Sequence, residues 1–327
     1  MNDTAINLQT VFQARKRLAA YVRKTPLVHS VDLSERLGRS VHLKLENLQV
    51  TGSFKLRGAA NKLLSLTDAE RERGVIAFST GNHGRAVAFV AAQMGLRAVI
   101  CMSHRVPDYR VAAMQALGGE VVCHGQSQDE AYQKALALER DEGLTMVKPF
   151  DDPFVIAGQG TIALEILEEL PDIDTLLVPL SGGGLLAGIA VAAKAIAPNL
   201  RLVGIGLDVS CPMHASLQAG RPIEIEEKDS LGDALLGGIG LDNCFTFPLV
   251  RDLVDEVVLV TEDDIADGLF YAFDTLRLVV EGAGVVGLSA LLAERLATPG
   301  ERIAVVISGG NVDPRLLFEV TKSRYEA

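Results

Sequence analysis

The chain has 327 residues, 48% of them hydrophobic, which is enough apolar material for one large domain or two ordinary ones and too much for disorder. Its 31 basic and 42 acidic residues give a formal charge of -11, and no Lys/Arg run could track a phosphate backbone, so nucleic acid is excluded as an expected partner. Cys101, Cys123, Cys211 and Cys244 are widely spaced and form no C-x-x-C pair, which argues against a disulfide framework or zinc knuckle and for reduced thiols in a cytoplasmic protein. The first residues are polar and the longest apolar stretches are broken by Gly, Arg97 or Lys194. Neither a signal peptide nor a membrane span is expected.

In chain order, short Val/Ile/Leu runs at 41–45, 75–78, 98–102, 120–123, 175–178, 201–206, 256–260 and 303–307 read as strands, most of them followed by segments of helical periodicity. That alternation calls for parallel strands covered on both faces by helices, the α/β class. Residues 74–150 read as a compact β-α-β-α series of their own. A small domain there is expected to interrupt a larger one made of 1–73 and 151–327. Ligands in such folds bind beyond the carboxyl ends of the strands.

Lys55 stands in Thr51-Gly52-Ser53-Phe54-Lys55-Leu56-Arg57-Gly58, where Ser53 reads as an N-cap and the lysine as part of the first helical turn. A positive helix end and apolar neighbours both disfavour an ammonium, so the free amine needed for a Schiff base becomes accessible. A lone lysine in such a position is more often a solvated surface residue. Three apolar strands then run into small-residue loops: 78–84 (Phe-Ser-Thr-Gly-Asn-His-Gly), 179–185 (Pro-Leu-Ser-Gly-Gly-Gly-Leu) and 307–311 (Ile-Ser-Gly-Gly-Asn). Three together point to backbone amides converging on a charged small molecule, because glycine admits close approach and helix N-termini favour anions. Ser181 to Gly184 reads as a phosphate cradle. It lacks both the Walker ending and the dinucleotide spacing, so a nucleotide is the weaker reading.

The set G-S-F-K-x-R-G, S-T-G-N-H-G, S-G-G-G-L-x-A-G and S-G-G-N, in this order and over nearly the whole chain, resembles the serine/threonine dehydratase and serine racemase group of pyridoxal-phosphate enzymes. This resemblance implies a two-domain α/β fold of the tryptophan-synthase-β type (fold type II), with twisted, mostly parallel sheets covered by helices, in a homodimer. It implies that Lys55 holds pyridoxal 5'-phosphate, with Phe54 beside the ring and Asn82 on the ring hydroxyl. Ser181, Gly182, Gly183, Gly184 and Leu185 would bind the phosphate and Ser308 would face the pyridine nitrogen. The amino acid substrate would be held by Ser79, Thr80, Gly81, Asn82 and His83. Lys55 would take the α-proton, and elimination of the β-hydroxyl would lead to a 2-oxo acid and ammonia.

Residues 147–152, 237–241 and 281–284 are also similar to the dehydratase of bacterial hydroxyectoine breakdown, which implies a larger hydroxy amino acid as substrate. Racemases of the group carry a serine hydroxyl at the position of Thr80, which makes an amino acid racemase the alternative and Thr80 the second catalytic candidate. A non-catalytic binding protein is a third reading, and Lys55, Asn82 and Ser308 argue against it.

Two departures stand out. The carboxylate that binds a divalent cation in some of the group is Gly206 here, with Asp208 nearby, so no metal is expected. The group's Ala-Asp-Gly reads Gly232-Asp233-Ala234 and precedes a glycine-rich stretch at 237–240, which reshapes the expected substrate pocket. Glu281 is either an acid near the cofactor or a cap before Gly-Ala-Gly. Relatives inhibited by isoleucine carry a C-terminal regulatory domain, and the chain stops soon after Ser308, so that feedback is not expected.

Overall fold

The computed structural model describes residues 5–79, 81–106 and 108–326. Among them ten strands form two sheets: β1 (Leu27–His29), β2 (Ser40–Leu45), β3 (Val75–Phe78), β4 (Ala98–Met102), β5 (Glu120–Cys123), β6 (Thr145–Met146), β7 (Thr175–Pro179), β8 (Arg201–Leu207), β9 (Glu256–Val260) and β10 (Arg302–Ile307). The six-stranded sheet runs β1-β2-β10-β7-β8-β9 and the four-stranded sheet β5-β4-β3-β6. All pairings are parallel except β1 with β2, where Leu27 lies opposite Lys44 and His29 opposite His42.

The strand sequences explain the layering. Along β7 and β10 successive side chains leave opposite faces of the sheet, and both faces are buried, so the strands are apolar beyond their first residues. Leu176, Val178, Ala304 and Val306 enter one core with the helices Pro153–Glu169 and Gly184–Ile196; Leu177, Ile303, Val305 and Ile307 enter the other with Glu262–Asp274 and Gly282–Leu292. The small sheet alternates in the same way, with Val75, Ala77 and Ile100 on one side and Ile76, Val99 and Cys101 on the other. Its larger core also takes in Leu18 and, from the helix Lys55–Leu64, Leu56, Ala59, Ala60 and Leu63. The lysine helix therefore shares the core of the small sheet.

All four cysteines are free thiols; Cys101 and Cys211 are buried, whereas Cys244 is exposed. No helix among the described residues is long and apolar enough to cross a membrane.

Candidate active site

The Lys55 helix begins at Lys55 itself. Its N-cap is Phe54, in helical geometry and without a side-chain cap, so the expectation that Ser53 caps it is not met. The Ser53 hydroxyl is buried without a partner, and the Ser53 backbone forms an isolated antiparallel bridge to Gly309. Neighbouring bonds extend that junction: Phe54 N donates to Ser308 O at 3.0 Å, Gly310 N to Gly52 O at 2.9 Å, and Glu281 N to Gly309 O at 3.1 Å. The loops leading into Lys55, following β10 and preceding Gly282 are thus one knot, and Ser308 lies buried within it.

The Lys55 amine donates to Pro149 O at 2.8 Å and lies 5.3 Å from the centre of the Phe54 ring. Burial pushes its pKa down to about 8, against the opposing pull of the Glu281 carboxylate. Desolvation penalises the charged form, so a substantial share of this amine is neutral and nucleophilic near pH 8.

Asn82 opens the helix Asn82–Met94, directly beyond β3. Its Nδ2 donates to Glu281 Oε1 at 2.6 Å, and its Oδ1 accepts from Asn311 Nδ2 at 2.6 Å. Asn82 is therefore fixed in orientation with one amide hydrogen left over. Sequence reasoning left Glu281 divided between cap and site acid. It occupies the N-cap position of the helix Gly282–Leu292 but makes no side-chain cap bond; its carboxylate takes Asn82 and the Asn311 amide. Asn311, which sequence reasoning passed over, completes this trio. Its only signal was its place after Ser-Gly-Gly.

Burial pushes the Glu281 carboxyl up to about 7, opposed by the Asn82 bond and reinforced by Asp233. Since the folded value exceeds the unfolded 4.5, the carboxyl stabilises the fold fully below about pH 4.5 and loses that contribution as pH rises through about 7. Glu281→Gln should remove about 3 kcal/mol of the fall in unfolding free energy of the cofactor-free protein between these limits. Parallel pH profiles for the two proteins, measured by urea unfolding, would contradict a perturbed carboxyl.

Ser79 Oγ accepts from Gly81 N at 3.3 Å, and no side chain caps the Asn82 helix, so its first amides remain available to an anion. His83 is buried, its Nε2 set 2.7 Å from Val147 O. Burial, with the charge of Lys55, drives its pKa down to about 3, so it is a neutral ring donating to that carbonyl. Thr80 lies outside the described residues.

Ser181, Gly182 and Gly183 lead from β7 into the helix Gly184–Ile196, whose N-cap is Gly183 at φ 85°. That left-handed value favours glycine. A Cβ on Gly182 would strike the Phe150 ring, and one on Gly184 would lie 2.9 Å from Phe150 Cα. Phe150 packing thus explains part of the glycine run. It does not explain the helix end, which has no side-chain cap and leaves the amides of Gly184, buried Leu185 and Leu186 without intrahelical acceptors.

The strap 147–152 joins these parts. Val147 O receives His83, Pro149 O receives Lys55, Phe150 covers the glycines, and the Asp151 carboxylate accepts from Cys244, Phe245 and Thr246 amides at 2.9 to 3.0 Å. Asp152 caps the next helix and pairs with Lys62 at 2.8 Å.

The residues therefore fit pyridoxal phosphate: a half-buried amine of lowered pKa, an uncapped helix end for the phosphate, an oriented amide and a buried hydroxyl lie at the carboxyl ends of the parallel strands. A divalent cation is less well served. Gly206 supplies no carboxylate, a Cβ there would lie 2.5 Å from Cys211 Sγ, and no group of three or more His, Cys, Asp or Glu that could hold a metal occurs among the described residues.

Comparison with known proteins agrees with this geometry. The chain is 42% identical to an L-threonine ammonia-lyase of Thermotoga maritima, over 96% of this chain and 78% of that one. It is 39% identical to the catabolic L-threonine dehydratase of Escherichia coli, over 98% and 97%. The solved structure of maize serine racemase superposes with a TM-score of 0.91 at 33% identity, covering 98% of both chains. The family model described as pyridoxal-phosphate dependent enzyme matches residues 18–309, and with that span the chain belongs to this family, as an enzyme whose cofactor is pyridoxal phosphate.

Proposed function

We propose that the protein is an ammonia-lyase that dehydrates a β-hydroxy amino acid of the serine/threonine class to a 2-oxo acid and ammonia. The observation that carries the reading is the meeting of a lysine amine of lowered pKa with an uncapped, glycine-led helix end across the strap 147–152. The likeness to two threonine-degrading enzymes adds the reaction class.

In this reading Lys55, Phe54, Asn82, Ser181, Gly182, Gly183, Gly184, Leu185 and Ser308 hold the cofactor. When bound, pyridoxal phosphate withdraws electrons from the substrate α-carbon and so acidifies its proton. The Lys55 amine would serve as the base for that proton, and its depressed pKa matches the task near neutral pH. Ser79, Gly81 and Asn82 hold the substrate carboxylate at the uncapped helix end, and neutral His83 keeps the strap at the correct distance. Asn82, fixed by Glu281 and Asn311, directs its spare amide hydrogen to the ring hydroxyl. The buried Ser308 hydroxyl would be a neutral partner for the ring nitrogen that fixes no positive charge there.

Within that class the substrate extends from serine and threonine to a larger hydroxy amino acid, such as one derived from hydroxyectoine, on the resemblance carried by residues 147–152, 237–241 and 281–284. The homodimer and the cytoplasmic setting belong to the same reading.

A screen of β-hydroxy amino acids for ammonia and 2-oxo acid release, with and without chelator, tests the proposal. Release should occur and survive chelation, because Gly206 supplies no metal-binding carboxylate. Enantiomer exchange without release would favour the racemase reading, which the likeness to maize serine racemase keeps open and in which Thr80 is the second catalytic group. Magnesium-reversible loss would place a cation site on other ligands.

A further inference from the structure

Two residues beyond Lys55, Arg57 is completely buried among charges: Glu46 and Glu165 bind it, and Lys44 binds Glu165. Its Nε donates to Glu46 Oε2 at 2.8 Å and Nη2 to Glu46 Oε1 at 2.8 Å. Nη1 reaches Glu165 Oε1 at 2.6 Å and Thr161 Oγ1 at 3.1 Å, and Nη2 also reaches Glu165 Oε2 at 2.8 Å. The five N–H groups of the guanidinium are thereby used. Lys44 Nζ, at 0% exposure, adds Glu165 Oε2 and Thr25 O, each at 2.6 Å.

The cluster binds the Lys55 helix to β2, to the short helical turn Glu46–Leu48 and to the helix Pro153–Glu169. Burial works against the Arg57 charge, but the two carboxylates more than offset it and raise its pKa. With two cations and two carboxylates the cluster is neutral as a whole. Replacing a buried, balanced ion cluster by apolar side chains is often neutral or stabilising, so stability alone does not account for it.

Its position offers another account. Successive helical residues are about 100° apart, so Lys55 and Arg57 leave the first turn in nearly opposite directions, the amine toward Pro149 and the guanidinium toward the cluster. The helix has no side-chain cap at its start. Gly158 fits against its back, where a Cβ would come within 2.6 Å of Arg57 O, so the helices already touch closely there. We propose that the Lys44–Glu46–Arg57–Glu165 quartet is a positioning device: it fixes the rotation of the first turn and so the direction from which the Lys55 amine meets the cofactor.

The proposal rests on pyridoxal phosphate being held at Lys55, and its main readout needs no substrate. The test is the holoenzyme of the quadruple variant Lys44→Met/Glu46→Leu/Arg57→Met/Glu165→Met, followed by melting temperature and the circular dichroism of the cofactor band per bound cofactor. A folded variant whose band falls at least about twofold supports the device, with kcat down about tenfold and KM within about threefold. A wild-type band in the folded variant overturns it. Should the quadruple variant not fold, Arg57→Lys, which keeps the charge and loses the fork, decides by the same band. Unfolding of both would make the quartet a folding element and overturn the proposal. If the dehydratase reading fails instead, no hydroxy amino acid is turned over by any form, and the band still reports on the quartet.

Discussion

Lys55→Ala is expected to abolish turnover and the borohydride-reducible lysine adduct together. The side chain has two tasks in the proposed chemistry, holding the cofactor and removing the α-proton. Loss of a positioned base alone costs about 10² to 10⁴ in rate. The covalent task adds to that, and two lysines near it in the chain are engaged elsewhere: Lys44 is tied to Glu165 and Thr25, and Lys62 to Asp152. Peptide mapping after reduction checks the result; an adduct on another lysine would refute the assignment. Added amines should restore part of the proton transfer in the variant, since they can reach the place the side chain has left.

Gly182→Val is expected to leave a folded protein that no longer retains cofactor on dilution. The new side chain would strike the Phe150 ring. If the loop yields, the amides at the start of the following helix lose their common aim. If Phe150 yields, Pro149 is drawn away from the Lys55 amine it accepts from. Each charge-assisted hydrogen bond lost is worth about 1.5 to 3 kcal/mol, which is about ten- to a hundredfold in Kd. Cofactor titration followed by absorbance checks it, and excess pyridoxal phosphate should recover activity. Unchanged affinity in a folded Gly182→Val would show that the phosphate lies elsewhere.

The eight strands foreseen from apolar runs are all present, and the signal is strongest in central strands such as β7 and β10, which are covered on both faces and apolar at nearly every position. The two that were missed, β1 and β6, have three and two residues, are only partly covered, and carry no pattern long enough to register. At the site, the glycine-led loops were legible because close backbone approach demands glycine whatever the tertiary setting. Contacts between distant segments were not. Asn82 with Asn311, His83 with Val147, and the Arg57 quartet join residues far apart in the chain, and their pairing has no local signature. The Ser53 cap failed for the same reason: a bridge to Gly309 from the other end of the chain displaced a local propensity.

The order of the large sheet bears on how the protein is made. β10 is the tenth strand in sequence yet lies in the middle, between β2 and β7, with Leu45 opposite Ile307. During synthesis β2 emerges early and waits for its neighbour until nearly all the described chain has left the ribosome. The bond from Phe54 N to Ser308 O, at the threshold of the lysine helix, closes at the same late moment. Pairings this distant in sequence form slowly, because a long loop must close before any contact is gained. A nascent chain halted before β10 therefore has its lysine, two of its three glycine-led loops and most of its strands, but no means of holding them around a cofactor.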